Sequence, residues 1–295
     1  TISTSIGMEL LRQAFESYGK ERGNAIMRPN QSQSTSTPTS TSASTAGPVK
    51  PPPQMTLREM NNKIIVNLLE YKAHLIYLYK ESFENNVFFG KTVRKVLEGV
   101  LNDGGCVDEN ETESETRRRG RYGNDSDGGK RIAELLAKYM DLRFKNAKSS
   151  LVSSPMKGSG IGIFSGSNAG TSGGDNDTEV FQTAVLELFR HIQSKDVFEA
   201  FYRQDLAKRL LLNKSSSIDS ERSFVSKLMA ECGTGYTSKM EGMFKDVELS
   251  KDILSSYSAH LSGLENAPNA TPISSSSRKV DMEVQVLTTG YWPVH

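Results

Sequence analysis

Residues 195–215 read KDVFEAFYRQDLAKRLLLNKS. At about 100° per residue along a helix, Phe198, Phe201, Tyr202, Leu206, Leu210 and Leu212 cover roughly half the circumference. Asp205 and Arg209 fall inside that arc. A surface helix keeps its charges on the wet side, so the pattern predicts a helix buried on more than one side. Asp205 and Arg209 stand four apart, within reach of a structural carboxylate–guanidinium pair.

Helical periodicity continues on both sides of this stretch. Upstream, DTEVFQTAVLELFRHIQ offers Asp177 or Thr178 as a helix cap and joins the quoted helix by a short turn, so the two should pack as neighbours. Downstream, SSSIDSERSFVSKLMAECG places Asp219 as a cap and Gly233 as the terminating residue. In TSKMEGMFKDVELSKDILSSYSAHL, Ser238 and Glu241 have capping-box spacing, and Ser250 suggests a restart after a kink. Earlier in the chain, Leu11, Phe15 and Tyr18 form one face. Ile65, Leu68, Leu69, Leu75, Ile76 and Leu78 form a long one, Val93, Val96, Leu97 and Val100 a shorter one, and Ile132, Leu135, Leu136, Tyr139 and Leu142 another.

Residues 279–289 change the period. In KVDMEVQVLTT, Val280, Met282, Val284 and Val286 alternate with Asp281, Glu283 and Gln285, the pattern of a half-buried strand. Its apolar face needs a covering layer, and Trp292 in the following GYWP can supply part of it. Nothing else in the chain reads as a strand, so its main-chain groups lack a ladder partner. The segment is therefore expected to be poorly held.

Three tracts separate the helical blocks. Residues 28–57 contain STSTPTSTSAST. Residues 102–130 contain DENETESE followed by RRRGRYG, and 147–176 contain a glycine- and serine-rich run. Such compositions bury too little apolar surface to offset the entropy of ordering them. They account for the low mean hydropathy of −0.48 over 295 residues. The net charge of +1, from 36 basic and 35 acidic residues, gives no global field for nucleic acid or membrane. No apolar run approaches the ~20 residues of a membrane span. The two cysteines fit a reducing compartment, and the start TISTSIGMELL is unlike a signal peptide.

Chemistry-bearing patterns are sparse. His74, His191, His260 and His295 lie far apart, and Cys106 and Cys232 form no CxxC, so neither a metal site nor a cofactor site is expected. Gly158, Gly160 and Gly162 lack GxGxxG spacing and a flanking strand–helix unit. Arg117, Arg118, Arg119 and Arg121 beside Tyr122, with the glycine-rich tract, admit an alternative reading, a helical RNA-binding or regulatory protein, but DENETESE just upstream largely neutralises the arginines. An enzyme with its own thioester cysteine needs an exposed, reactive Cys232, whereas its place in a packed helix argues for burial. The chain reads as non-catalytic.

From Leu188 to Asp252 the blocks DVFEAFY, DLAKRLL, SKL, ECG and YTSKMEGMFKD, with GYWP beyond, stand in the order and spacing of the cullin family, which this chain closely resembles. FEAFY, KSSSIDSE and MEGMFKDVELSKD are most similar to class four, and TTGYWP is shared with class three. The resemblance implies a mainly α fold. Residues 1–146 would end the amino-terminal cullin-repeat stalk, with disordered insertions at 28–57 and 102–130, and 147–176 would be a disordered linker. Residues 177–263 would form the cullin-homology helical bundle, and 279–295 would open an α/β subdomain. It further implies a scaffold subunit of a cullin-RING ubiquitin ligase in the nucleus and cytoplasm. A RING-box protein would add a strand at Val280, Met282, Val284 and Val286, with Trp292 beside them. A substrate-recruiting adaptor would bind the far end of the stalk. A ubiquitin-like modifier would be attached to a winged-helix segment expected beyond His295.

Overall fold

The computed structural model of the chain describes residues 2–27, 56–103, 127–145, 175–265 and 283–293. Those residues are mainly helical: α1 (Ile2–Met27), α2 (Leu57–Ser82), α3 (Val87–Asn102), α4 (Asp127–Lys145), α5 (Asp175–Phe189), α6 (Lys195–Leu211), α7 (Ile218–Cys232) and α8 (Thr234–Glu265). No strand occurs among the described residues. The expected unstructured tracts were drawn slightly too wide. Thr56 caps α2 in a complete capping box with Glu59, residue 102 ends α3, and 127–130 and 175–176 are helical. The rest of those tracts lies outside the described residues.

The chain forms two compact units, Thr1–Tyr139 with Ser150–Phe198 and Met140–Ser149 with Glu199–His295. This division falls inside α4 and near the start of α6, whereas the sequence suggests a boundary at 147–176.

In the first unit α1 packs on α3 and α2. Of its expected face only Phe15 is buried, while Leu11 and Tyr18 are exposed. The contact runs instead through glycine: a Cβ on Gly23 would stand 2.4 Å from Val100 Cγ2, so only a bare backbone lets the two helices approach this closely. Tyr71 donates to the carbonyl of Gly19 at 2.6 Å. Phe15, Phe83 and Phe89 form an aromatic cluster, Phe83 stacked on Phe89 at 3.8 Å. Asn102 closes the unit at the other end, donating to the carbonyl of His191 and accepting from the N–H of Gln193, each at 2.9 Å.

Glu16 of α1 accepts from Lys20 and from Lys95 of α3, both at 2.8 Å. These two hydrogen bonds, Lys20's first, hold its carboxyl at about 2, below its ordinary 4.5. A carboxyl depressed in the folded state contributes stability above its unfolded value and loses it as pH falls toward the folded one. The contribution is therefore expected to disappear between pH 4.5 and about 2. Both lysines are exposed, which limits it to less than ~1 kcal/mol. Urea unfolding at a series of pH values, for the wild-type chain and Glu16→Gln, checks this. The variant's stability should fall less over that window.

In the second unit the α6 side chains Tyr202, Asp205, Leu206, Ala207, Arg209 and Leu210 are buried, as the wide apolar arc requires, although Leu212 is exposed. The expected Asp205–Arg209 pairing is corrected. Arg209, 0% exposed, donates from Nε and Nη2 to both oxygens of Glu221 at 2.8 and 2.7 Å. Its Nη1 donates to Asp141 at 2.8 Å. Its guanidinium also lies 5.3 Å from the centre of the Phe144 ring and 5.5 Å from that of Tyr202. Burial alone would lower the arginine's pKa, but the hydrogen bonds and charge of Glu221, with Asp141, raise it. Asp205 lies 3.9 Å from Lys208 Nζ. Glu221, on another helix, offers a bidentate fork that a side chain one turn away on α6 does not match.

Several local expectations are also revised. α5 begins at Asp175, so Asp177 and Thr178 lie inside it. Ser217, not Asp219, caps α7 by accepting from the N–H of Ser220. α8 starts at Thr234, ahead of the Ser238–Glu241 box, and Glu241 accepts from Thr237 instead. α8 runs unbroken through Ser250. Gly233 ends α7 with φ 87°, as its sequence position indicates.

Candidate functional site

The described carboxy-terminal segment, residues 283–293, lies along α8 and the end of α6. Asn213, with φ 51°, terminates α6, and the Lys214 N–H returns to the Arg209 carbonyl at 2.9 Å. That arrangement is a helix-ending six-to-one bond. Asn213 then donates to Glu283 at 3.2 Å.

Helix α8 supplies the other contacts from Gly242, Asp246 and Ser250, which recur every four residues and so share one face. The Ser250 hydroxyl accepts from the Val286 N–H at 2.8 Å and donates to the Val286 carbonyl at 3.1 Å. Asp246 accepts three donors: the Thr288 N–H at 2.7 Å, the Thr288 hydroxyl at 2.8 Å and the Trp292 indole N–H at 2.8 Å. Burial pushes the Asp246 carboxyl upward, but the bonds from the Thr288 backbone, Trp292 and the Thr288 hydroxyl outweigh it and leave its pKa lowered. A Cβ on Gly242 would stand 2.5 Å from the Tyr291 ring, so this ring sits directly on bare helix backbone.

Of the residues expected to form the pairing strand, Val280 and Met282 lie outside the described residues. Val284 and Val286 are 42% and 50% exposed, and Leu287 between Val286 and Thr288 is 40% exposed. Trp292 is half-buried, and its indole N–H donates to Asp246. The expectation of a poorly held segment is corrected for Val286 and Thr288, whose backbone groups find partners in side chains of α8. A stripe of one glycine, one aspartate and one serine, spaced four apart on α8 at Gly242, Asp246 and Ser250, is the signal that locates this docking face. In the sequence, Ser250 passed for a helix restart.

Other candidate features carry less. Among the described residues no group of three or more histidine, cysteine or acidic side chains stands close enough to hold a metal ion. No described helix is long and apolar enough to cross a membrane. Cys232, expected to be buried, is half-exposed, and the arginine cluster lies outside the described residues. A cleft in the first unit is lined by Leu69, Lys72, Ile76, Val93 and Glu187 among others, and its Lys72 and Glu187 form an ion pair. Burial lowers the lysine's pKa, with Glu187 opposing, and Tyr79 and Lys80 also line the cleft.

Comparison with known proteins adds a family likeness. Residues 1–254 match the family described as Cullin, cullin alpha solenoid domain. The chain is 33% identical over 237 residues to Cullin-4 of Dictyostelium discoideum, a match covering 80% of this chain and 22% of that protein. With Cullin-4A of Homo sapiens it shares 33% identity over 237 residues, covering 80% of this chain and 24% of that protein. With Cullin-3 of Dictyostelium discoideum it shares 46% identity over 119 residues, covering 40% of this chain and 14% of that protein. The chain thus spans about a quarter of the length of its cullin-4 relatives.

Proposed function

Since the chain belongs to the cullin family, we propose that it is a non-catalytic scaffold portion of a cullin-RING ubiquitin ligase, closest to class four, that captures a RING-box protein. The observation that carries this reading is the segment 283–288. It is anchored to α8 through main-chain groups of Val286 and Thr288, yet it presents Val284, Val286 and Leu287 to solvent. A held segment with exposed apolar side chains is what β-augmentation requires, because ladder bonds supply affinity and alternate side chains supply specificity. In this reading a substrate-recruiting adaptor binds the amino-terminal stalk of the full-length protein. A ubiquitin-like modifier is attached toward its carboxy terminus, and the protein works in nucleus and cytoplasm.

The test is binding of a purified RING-box protein to the chain and to Val284→Asp. Val284 is exposed, so the fold tolerates the change, whereas a carboxylate buried against a partner strand costs binding roughly tenfold or more. Equal affinity of the two proteins would move the docking surface elsewhere. Salt-sensitive retention of RNA, with no RING-box binding, would favour the alternative reading.

A further inference from the structure

The contacts of α8 with the carboxy-terminal segment also determine which edge of that segment is open. Ser250 and Asp246 stand one step of four residues apart on a helix, about 6 Å along its axis. They bond the N–H groups of Val286 and Thr288, which are two residues apart. Two such groups reach the same side only in an extended chain, where successive N–H and C=O groups alternate in direction, and two extended residues span about 6.6 Å. The two spacings match. Because Val286 meets Ser250 and Thr288 meets Asp246, the segment runs antiparallel to α8. The Ser250 hydroxyl both gives to and receives from Val286, as an opposing residue does in a hydrogen-bonded antiparallel pair.

We infer that Ser250 and Asp246 stand in for a neighbouring strand, fixing the register of residues 286–288 and leaving the opposite edge, through the Leu287 main chain, as the one an incoming strand joins. Asp246 is the positioning residue. It binds the segment at two points, Thr288 and Trp292, and Gly242 leaves room for the Tyr291 ring between them. The identity of the incoming strand rests on the RING-box reading. The register and the open edge do not, because they follow from bonds within the chain.

Trp292 is the sole tryptophan of the sequence, so its emission reports the clamp without interference. The experiment uses the 295-residue chain as wild type, Asp246→Ala and Asp246→Asn, with circular dichroism verifying that the helices persist. The wild type should show residue-resolved amide exchange that is slow at Val286 and Thr288 and fast at Leu287. Asp246→Ala should speed exchange at Thr288 by about tenfold or more and shift Trp292 emission to the red. Asp246→Asn should preserve both readouts, because its amide oxygen can take the Thr288 and Trp292 N–H groups while its NH2 donates to the Thr288 hydroxyl. Adding RING-box protein should slow exchange at Leu287, and its affinity should drop about tenfold for Asp246→Ala and recover for Asp246→Asn. Uniform exchange across 286–288, or an unshifted Trp292 in Asp246→Ala, would overturn the clamp. Protection of Val286 and Thr288 beyond the wild-type level on partner addition, with Leu287 unchanged, would overturn the assigned edge. If the wild type binds no RING-box protein, the functional reading fails, while the alternation of exchange and the Trp292 shift still decide the clamp.

Discussion

Glu221→Ala is expected to lower the stability of the chain by about 3–5 kcal/mol, because it leaves the Arg209 guanidinium buried without its principal counter-charge. Both side chains of this pair are fully buried, at 0% exposure. Only the bond from Nη1 to Asp141 survives the change. The Ser215 hydroxyl, which donates to Glu221 at 2.7 Å, loses its acceptor as well. Replacing both members with apolar side chains of similar size, Arg209→Met with Glu221→Leu, should cost much less, since neither charge then has to be taken out of water. Urea midpoints of the three proteins separate the cases. A single variant as stable as wild type would mean that water reaches the guanidinium and that the cluster is not closed.

Phe89→Ala should cost the first unit a comparable ~3–5 kcal/mol, the range for removing a buried aromatic ring whose site cannot collapse. Phe89 is 1% exposed, stacks on Phe83 at 3.8 Å and meets the edge of Phe15 at 5.9 Å, so its loss opens a cavity where α1, α2 and α3 converge. Its sequence neighbour provides the control. Phe88 is 68% exposed, and Phe88→Ala should change stability by less than ~0.5 kcal/mol. Thermal melts of both variants check the contrast. Equal shifts would mean that the three-helix packing around Phe15 is wrong.

Much of the architecture is legible in the sequence. The faces of α2, α3 and α4 were readable because a helix buried on one side repeats its apolar residues at the helical period. Ile65, Leu68, Val96, Leu97, Ile132 and Leu136 are buried accordingly. The face of α1 departs from its apolar pattern at Leu11 and Tyr18, which are exposed, because its tightest contact is made by Gly23, a residue without hydropathy to count. Gly233 could be read as a helix end because few residues other than glycine accept its positive φ.

By itself, then, the sequence determined the helical class, the family likeness carried by residues 188–252, and that Arg209 had to be buried on a crowded helix. These follow from period and residue type, which are local properties. Only the tertiary structure decided what Arg209 pairs with and what holds the carboxy-terminal segment. Asp205 is four residues from Arg209 and looked like its partner, but Glu221 and Asp141, 12 and 68 residues away, present their oxygens to the guanidinium. Val286 looked like a strand residue awaiting a ladder, but Ser250, 36 residues earlier, bonds its main chain. Hydrogen-bond partners are chosen by distance and direction in space, and separation along the chain carries almost no information about either.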